Sequence, residues 1–387
     1  MIERAYFDKI CDRRGSGSIK YGKPPAGDPE KVVPMWVADM DFRSAPCIIS
    51  ALEETVDHGI FGYTDRGEEY KDAVRGWYRR RMNWEIDPEW IIPVPGVIFA
   101  ISTAIKALTD EGDGIIICQP VYYPFANMVK DNRRELIVSE LQLKDGRYEM
   151  DFDDFAEKAE EAKAFLLCSP HNPGSRVWTK DELEKIVEIC KEKGLYIISD
   201  EIHSDLIFPG HIHTPAVKAA GDYAGKIITC VSPTKTFNIA GIEAANIIAP
   251  DKAIRKAIIS EFFSTGVFGQ NMFGAAATVA AYREGDEWLE ALLDYLWVNV
   301  GHVRDFADST DAIDLIEPEG TYLMWLDCRK TGLDGRQLQK LFLEKADVWL
   351  HDGSVFGIGG EGFLRMNIAC PEKVLLEVLD NMRKTEV

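Results

Sequence analysis

No two of the chain's eight cysteines stand in a Cys-x-x-Cys spacing; they fall at 11, 47, 118, 168, 190, 230, 328 and 370. Scattered this way they lay out neither a disulfide frame nor a zinc site, and they read as reduced and mostly buried thiols. Basic residues are also short, with 44 Lys and Arg against 64 Asp and Glu for a formal charge of −20. That leaves no cationic surplus to neutralise phosphates, which argues against a nucleic-acid binder and against attraction to anionic lipid. Apolar runs such as Gly114–Cys118 and Leu195–Ser199 are far below the about 20 residues of a bilayer span. Met1–Ile10 is charged where a signal peptide would be apolar, so the expected setting is cytoplasmic. Internal repeats and low-complexity linkers are missing too.

The composition that remains is 46% apolar and 28% charged, that of a globular enzyme-sized chain. Runs apolar at nearly every position recur at Gly114–Cys118, Ala164–Cys168, Leu195–Ser199, Lys226–Val231 and Asn246–Ala249. Such runs suit strands buried on both faces, as in a parallel sheet covered by helices. Between two of them Thr179 and Glu182 form a capping box. Leu183, Ile186, Val187 and Cys190 then share a helical face, and Gly194 stands where the helix should stop. Val97–Thr109 is a second helix, just after Pro93–Gly96. Further on, Thr321–Cys328 and Phe363–Ala369 read as strands, and Arg336–Ala346 and Glu372–Arg383 as helices, an α+β pattern. The expected fold class is α/β: a mostly parallel central sheet with helices on both faces, plus a smaller α+β domain. Its expected parts are an N-terminal arm over 1–45 packing with the small domain, a large domain over 46–280 and a small domain over 281–387.

Three motifs fail on context. Gly357-Ile-Gly-Gly-Glu-Gly362 matches G-x-G-x-x-G, but it precedes an expected strand instead of opening a helix, so it reads as a turn. Asp200, Glu201, His203 and Asp205 cluster with His211 and His213, yet straddle a strand end without any His-Glu-x-x-His; no metal is expected. Ser232-Pro-Thr-Lys235 fits Ser-x-x-Lys, but the companion elements of acyl-transferring enzymes are absent.

The chemistry lies at the expected strand ends. In an open parallel sheet ligands bind outside the carboxyl ends of the strands. Lys235 closely follows the run ending at Val231; a buried amine is pushed toward neutrality and can then form a Schiff base. Asp200 directly follows Leu195–Ser199, and a carboxylate there can pair with a protonated ring nitrogen. Asn172 leaves the sheet after Ala164–Cys168, and Gly96 and Val97 open a helix whose free N–H groups can hold a phosphate. Taken singly, each of these is bland. Arg365, for instance, reads on its own as a solvated charge on a strand.

In this order, however, the set resembles a family over nearly the whole chain. The strings are Arg13-Arg-Gly-Ser-Gly-Ser-Ile-Lys20, Pro34-Met-Trp-Val-Ala-Asp-Met-Asp-Phe42, Phe61-Gly-Tyr-Thr64 and Gln119-Pro-Val-Tyr-Tyr-Pro-Phe125. Ser169-Pro-His-Asn-Pro-Gly174, Ser199-Asp-Glu-Ile-His-Ser-Asp205, Ser232-Pro-Thr-Lys-Thr-Phe-Asn-Ile-Ala-Gly241 and Phe363-Leu-Arg-Met-Asn367 complete them. The chain resembles a fold-type-I pyridoxal-phosphate enzyme of the class I/II aminotransferase superfamily, and within it the MalY/PatB-type cystathionine β-lyases, or C–S lyases.

The resemblance implies pyridoxal 5′-phosphate as cofactor and an amino-acid thioether as substrate. It also implies a homodimer with shared active sites. Lys235 would carry the Schiff base and move the Cα proton, Asp200 would pair with the pyridinium, and Asn172 and His203 would lie near the phenolic oxygen. Tyr122 would stack on the ring and could protonate the leaving sulfur. Gly96, Val97, Ile98, Ser232 and Thr234 would form the phosphate cup, with Tyr63 reaching it from the partner subunit. Arg365 would clamp the substrate carboxylate, and Tyr123 and Ala38 would touch the substrate. One position departs from many aminotransferases: where they carry a phosphate-binding arginine, eight residues after the lysine, this chain has Glu243. The implied reaction is α,β-elimination; the alternatives are transamination and a regulatory role through protein contacts. Lys235→Ala should therefore abolish covalent cofactor attachment and essentially all turnover. Borohydride reduction followed by mass spectrometry checks the assignment, since the tag must fall on Lys235 and on no other lysine.

Overall fold

The computed structural model describes residues 2–267 and 271–385. The all-apolar runs pair side by side because each can bury both of its faces only between neighbours and under helices. In sheet order the strands are Ile91–Val94, Ala245–Ile248, Ile227–Val231, Tyr196–Asp200, Ala162–Cys168, Gly114–Gln119, Glu135–Lys144 and Arg147–Met150. The five from Ile227–Val231 to Glu135–Lys144 run parallel. Alternate residues feed two separate cores. Ile115, Ile117, Leu166 and Ile198 face one, whereas Ile116, Phe165, Leu167 and Ile197 face the other.

Ala245–Ile248 is a strand, as its apolar run implies, but it lies antiparallel to both Ile227–Val231 and Ile91–Val94. A parallel return needs a crossover to the opposite edge. The segment after Val231 instead turns at the carboxyl edge through Pro233–Thr236 and Ala240–Ile242 and re-enters the sheet from that same edge.

The helix Lys180–Lys193 begins with both halves of the Thr179/Glu182 capping box and ends at Gly194, whose φ of 73° is left-handed. Toward the C-terminus, Asp314–Ile316, Leu323–Asp327, Phe363–Asn367 and His351–Asp352 form an antiparallel sheet. Gly357 has φ 96°, and a Cβ there would lie 2.2 Å from the Gln119 side chain, so the glycine cluster is a tight turn ahead of a strand. The N-terminal segment is fixed at two points. Phe7 is buried among Phe42, Trp288 and Tyr295, and Val33–Pro34 pairs in parallel with Val348–Trp349. No described helix is long and apolar enough to cross a membrane.

Candidate active site

Along the carboxyl edge of the parallel strands, the connecting loops and the segment around Trp36 enclose a cavity of about 290 Å³. Asp200 ends its strand beside Cys168 and Cys230 of the flanking strands. Its buried carboxyl accepts the Ile202 N–H at 3.1 Å and has no ion pair among the described residues. Burial lifts its pKa to about 7; the Ile202 amide and the Lys235 charge oppose the rise, and the Glu201 charge adds to it.

Lys235 is placed by a local cap. Ser232 begins the short helix Pro233–Thr236 by accepting the Thr234 N–H at 3.0 Å, and the turn brings Lys235 to the cavity wall. Its Nζ donates to the Ala38 carbonyl at 2.5 Å. Burial lowers the amine to about 8, assisted by the Arg365 charge and opposed by Asp39 and Asp200. A neutral fraction is thus available as base or nucleophile near neutral pH.

Arg365 is only 3% exposed, which overturns the solvated-charge reading of this strand position. Its Nη1 donates to Asn172 Oδ1 at 3.0 Å and its Nη2 to the Trp36 carbonyl at 2.7 Å, while its buried Nε has no partner. Burial lowers its pKa to about 10, so it remains a cation at neutral pH, without a carboxylate partner among the described residues. A cation held this way is a receptor for a carboxylate. With Oδ1 engaged, Asn172 keeps its amide N–H₂ for another acceptor. His203 is buried, its pKa is lowered to about 3 by burial and by the Lys235 and Arg365 charges, and its Nδ1 lacks a partner. Tyr122 is pushed up to about 12 by burial, so its phenol keeps its proton.

The helix Val97–Leu108, whose first residues line the cavity, starts at Gly96 without any side-chain cap, leaving its first N–H groups free. A Cβ at Gly96 would meet nothing within 4 Å, so the glycine leaves its side of the cavity open. With Thr234 nearby, this end suits a dianion. An anion cup, a carboxyl in want of a cation, an amine and an amide donor together match the phosphate, pyridine nitrogen, aldehyde and phenolic oxygen of pyridoxal phosphate.

Of the residues singled out in the sequence, Ala38, Gly96, Val97, Ile98, Tyr122, Tyr123, Asn172, Asp200, His203, Thr234, Lys235 and Arg365 all line this cavity. Ser232 does not. Its hydroxyl donates to the Ala244 carbonyl at 2.6 Å, accepts the Thr234 N–H and lies 2.6 Å from the Thr234 hydroxyl, directly behind a residue that lines the cavity. Tyr63 is fully exposed and away from its own chain's cavity. Glu243 lines the cavity with φ 55°, and among the described residues Arg365 is the one arginine in the cavity wall. Trp36 and His351 also line the wall, although the sequence pattern assigned them no role. Trp36 stood in a quoted string, but His351 lies on a two-residue strand too short to show a period.

Residues 30–382 match the family described as aminotransferase class I and II. Cystathionine beta-lyase PatB of Bacillus subtilis is 41% identical over 384 residues, covering 98% of each chain. A PLP-bound putative aminotransferase from Clostridium difficile 630 superposes with TM-score 0.95 at 42% identity, over 98% of this chain and 99% of that one. Cystalysin from Treponema denticola, whose structure contains pyridoxal 5′-phosphate, gives TM-score 0.94 at 38% identity over 98% of each chain.

Asp200 carries a pH signature. An ordinary carboxyl ionises near pH ~4 when unfolded, whereas here the folded value is raised to about 7. The stability this proton contributes is full below about pH 4 and lost as pH rises through about 7. Asp200→Asn should therefore raise the melting temperature of cofactor-free protein at pH 8 by on the order of a few °C, with the gain shrinking toward pH 5. The same variant should lose orders of magnitude in turnover. Calorimetry across pH and steady-state kinetics check both; an unshifted melting curve at pH 8 or wild-type kinetics would overturn the assignment.

Proposed function

We propose, from the premise that the chain belongs to the class I and II aminotransferase family, that it cleaves the Cβ–S bond of cysteine thioethers such as cystathionine. With water consumed, the products are a thiol (homocysteine from cystathionine), pyruvate and ammonia. The observation that carries this reading is Lys235, Asp200 and Arg365 lining one cavity, each hydrogen-bonded only to uncharged groups among the described residues. The 41% identity to a protein named cystathionine beta-lyase supports the choice of reaction.

Bound pyridoxal phosphate supplies an aldehyde for the substrate amine and an electron-withdrawing ring. Thr234 and the N–H groups of Val97 and Ile98 hold its phosphate, and Tyr122 covers its ring. Asp200 keeps the ring nitrogen protonated, and Asn172 and His203 meet its phenolic oxygen. Arg365 takes the substrate carboxylate and so turns Cα toward Lys235. The neutral Nζ, favoured above about pH 8, removes the Cα proton. Lys235 once protonated, or the Tyr122 phenol, returns a proton to the departing sulfur, a contribution of typically about 10²- to 10⁴-fold. Ala38 and Tyr123 flank the substrate. The eight cysteines are free thiols, which supports a reducing, cytoplasmic setting.

The active sites are shared in a homodimer, with Tyr63 of the partner subunit completing the phosphate cup. Support comes from the exposure of Ile60, Phe61 and Tyr63 together on one segment away from the chain's own cavity. Mixing inactive Lys235→Ala with a severely impaired Tyr63→Ala should restore one of two sites in heterodimers. Recovery absent from verified heterodimers places Tyr63 within its own subunit.

Reaction type is tested directly. Cystathionine and S-alkyl cysteines should release pyruvate over many turnovers with no keto acid added, while alanine, which has no leaving group, transaminates slowly at most. If pyruvate stops at one equivalent per site, or alanine reacts faster than cystathionine, transamination replaces elimination.

A further inference from the structure

His351 stands opposite Arg365 in the antiparallel pair of His351–Asp352 with Phe363–Asn367, so the two side chains share a face of the sheet. Arg365 Nη2 lies 3.1 Å from His351 Nδ1. A guanidinium can only donate, so that Nδ1 must be the unprotonated nitrogen of the ring. The imidazole is held by aromatic rings on three sides: Phe356 at 5.2 Å, Trp36 at 5.8 Å and Tyr123 at 5.9 Å between centroids. Phe356 also lies under the guanidinium at 4.8 Å. Every polar partner of Arg365 among the described residues is therefore uncharged: an amide oxygen, a backbone carbonyl and this imidazole.

We propose that His351 is a positioning residue for the carboxylate clamp, fixing the plane of the Arg365 guanidinium with a neutral acceptor so that its positive charge is left for the substrate. A carboxylate in the same place would orient the guanidinium equally well but would form the ion pair itself and compete with the ligand. The ring's pKa, pushed down to about 3 by burial and by the Arg365 charge, keeps it neutral over the working range. The inference rests on the reading of Arg365 as the clamp.

Two variants separate orientation from packing. His351→Phe keeps an aromatic ring but deletes the acceptor; His351→Asn loses the ring but keeps an amide oxygen in reach of Nη2. Holoenzymes are titrated with L-alanine and with ethylamine, its counterpart without the carboxylate, and binding is followed by cofactor absorbance. Expected is a dissociation constant for L-alanine at least about tenfold weaker in His351→Phe, in line with the about 10²-fold penalties of small misplacements. His351→Asn should stay within about threefold of wild type, and ethylamine should bind all three proteins alike. Wild-type affinity for L-alanine in His351→Phe, or a His351→Asn protein as weak as His351→Phe, would overturn the inference. Should wild type bind ethylamine as tightly as L-alanine, the clamp reading itself fails and the inference falls with it.

Discussion

Charge without a counter-ion is the constraint on which the site depends. Lys235, Asp200 and Arg365 meet one small cavity, and burial displaces each toward its neutral form: the amine and guanidinium down, the carboxyl up. Leaving a buried charge unpaired typically costs about 3–5 kcal/mol, so the apoprotein holds these groups at the expense of stability. A ligand with complementary groups would relieve them, as the proposed function requires: an aldehyde for the amine, a pyridinium for the carboxyl, a carboxylate for the guanidinium. On that reading stability and function are coupled at the same three side chains.

The surrounding backbone supplies neutral acceptors where acids would have quenched the cations. The Trp36 carbonyl takes Arg365, the Ala38 carbonyl takes both Lys235 and Tyr322, and the Val37 and Asp39 carbonyls take Asn367. Asn238 binds the Met40 N–H and the Met40 and Phe42 carbonyls. This early segment, nearly two hundred residues from the lysine, is thus stitched into the wall by donors from three distant parts of the chain. Its own acids are engaged elsewhere. Asp41 pairs with buried Lys20 at 2.8 Å, and Arg13 bridges Asp39 and Asp41.

The acidic and histidine cluster around Asp200 illustrates how neighbours in sequence divide in space. Glu201 turns away to accept from Ser199 and the Ala216 N–H, with His213 at 3.0 Å. Asp205 accepts from Trp77 and Thr236. Among the described residues no group of three or more His, Cys, Asp or Glu side chains is placed to hold a metal. The Ser-x-x-Lys string is equally local in meaning: Ser232 is the cap that aims the lysine.

The strand runs, the capped helix Lys180–Lys193 and the strand-end residues Lys235, Asp200 and Asn172 were legible from sequence. Apolar periodicity, capping chemistry and the step from an apolar run to a polar residue are local properties. The resemblance added Arg365, because a buried guanidinium and a solvated one look alike in a five-residue strand. The direction of Ala245–Ile248 depended on which edge the chain re-entered, which no run of apolar residues encodes. The bond from Ser232 to the Ala244 carbonyl and the seating of His351 against Arg365 were decided by packing and by cross-strand register. Composition and period determine which segments are buried and where polar residues leave them. Which polar groups then face one another is decided only when distant segments close on the same cavity, because a hydrogen bond or an unpaired charge has meaning only against its partner in space.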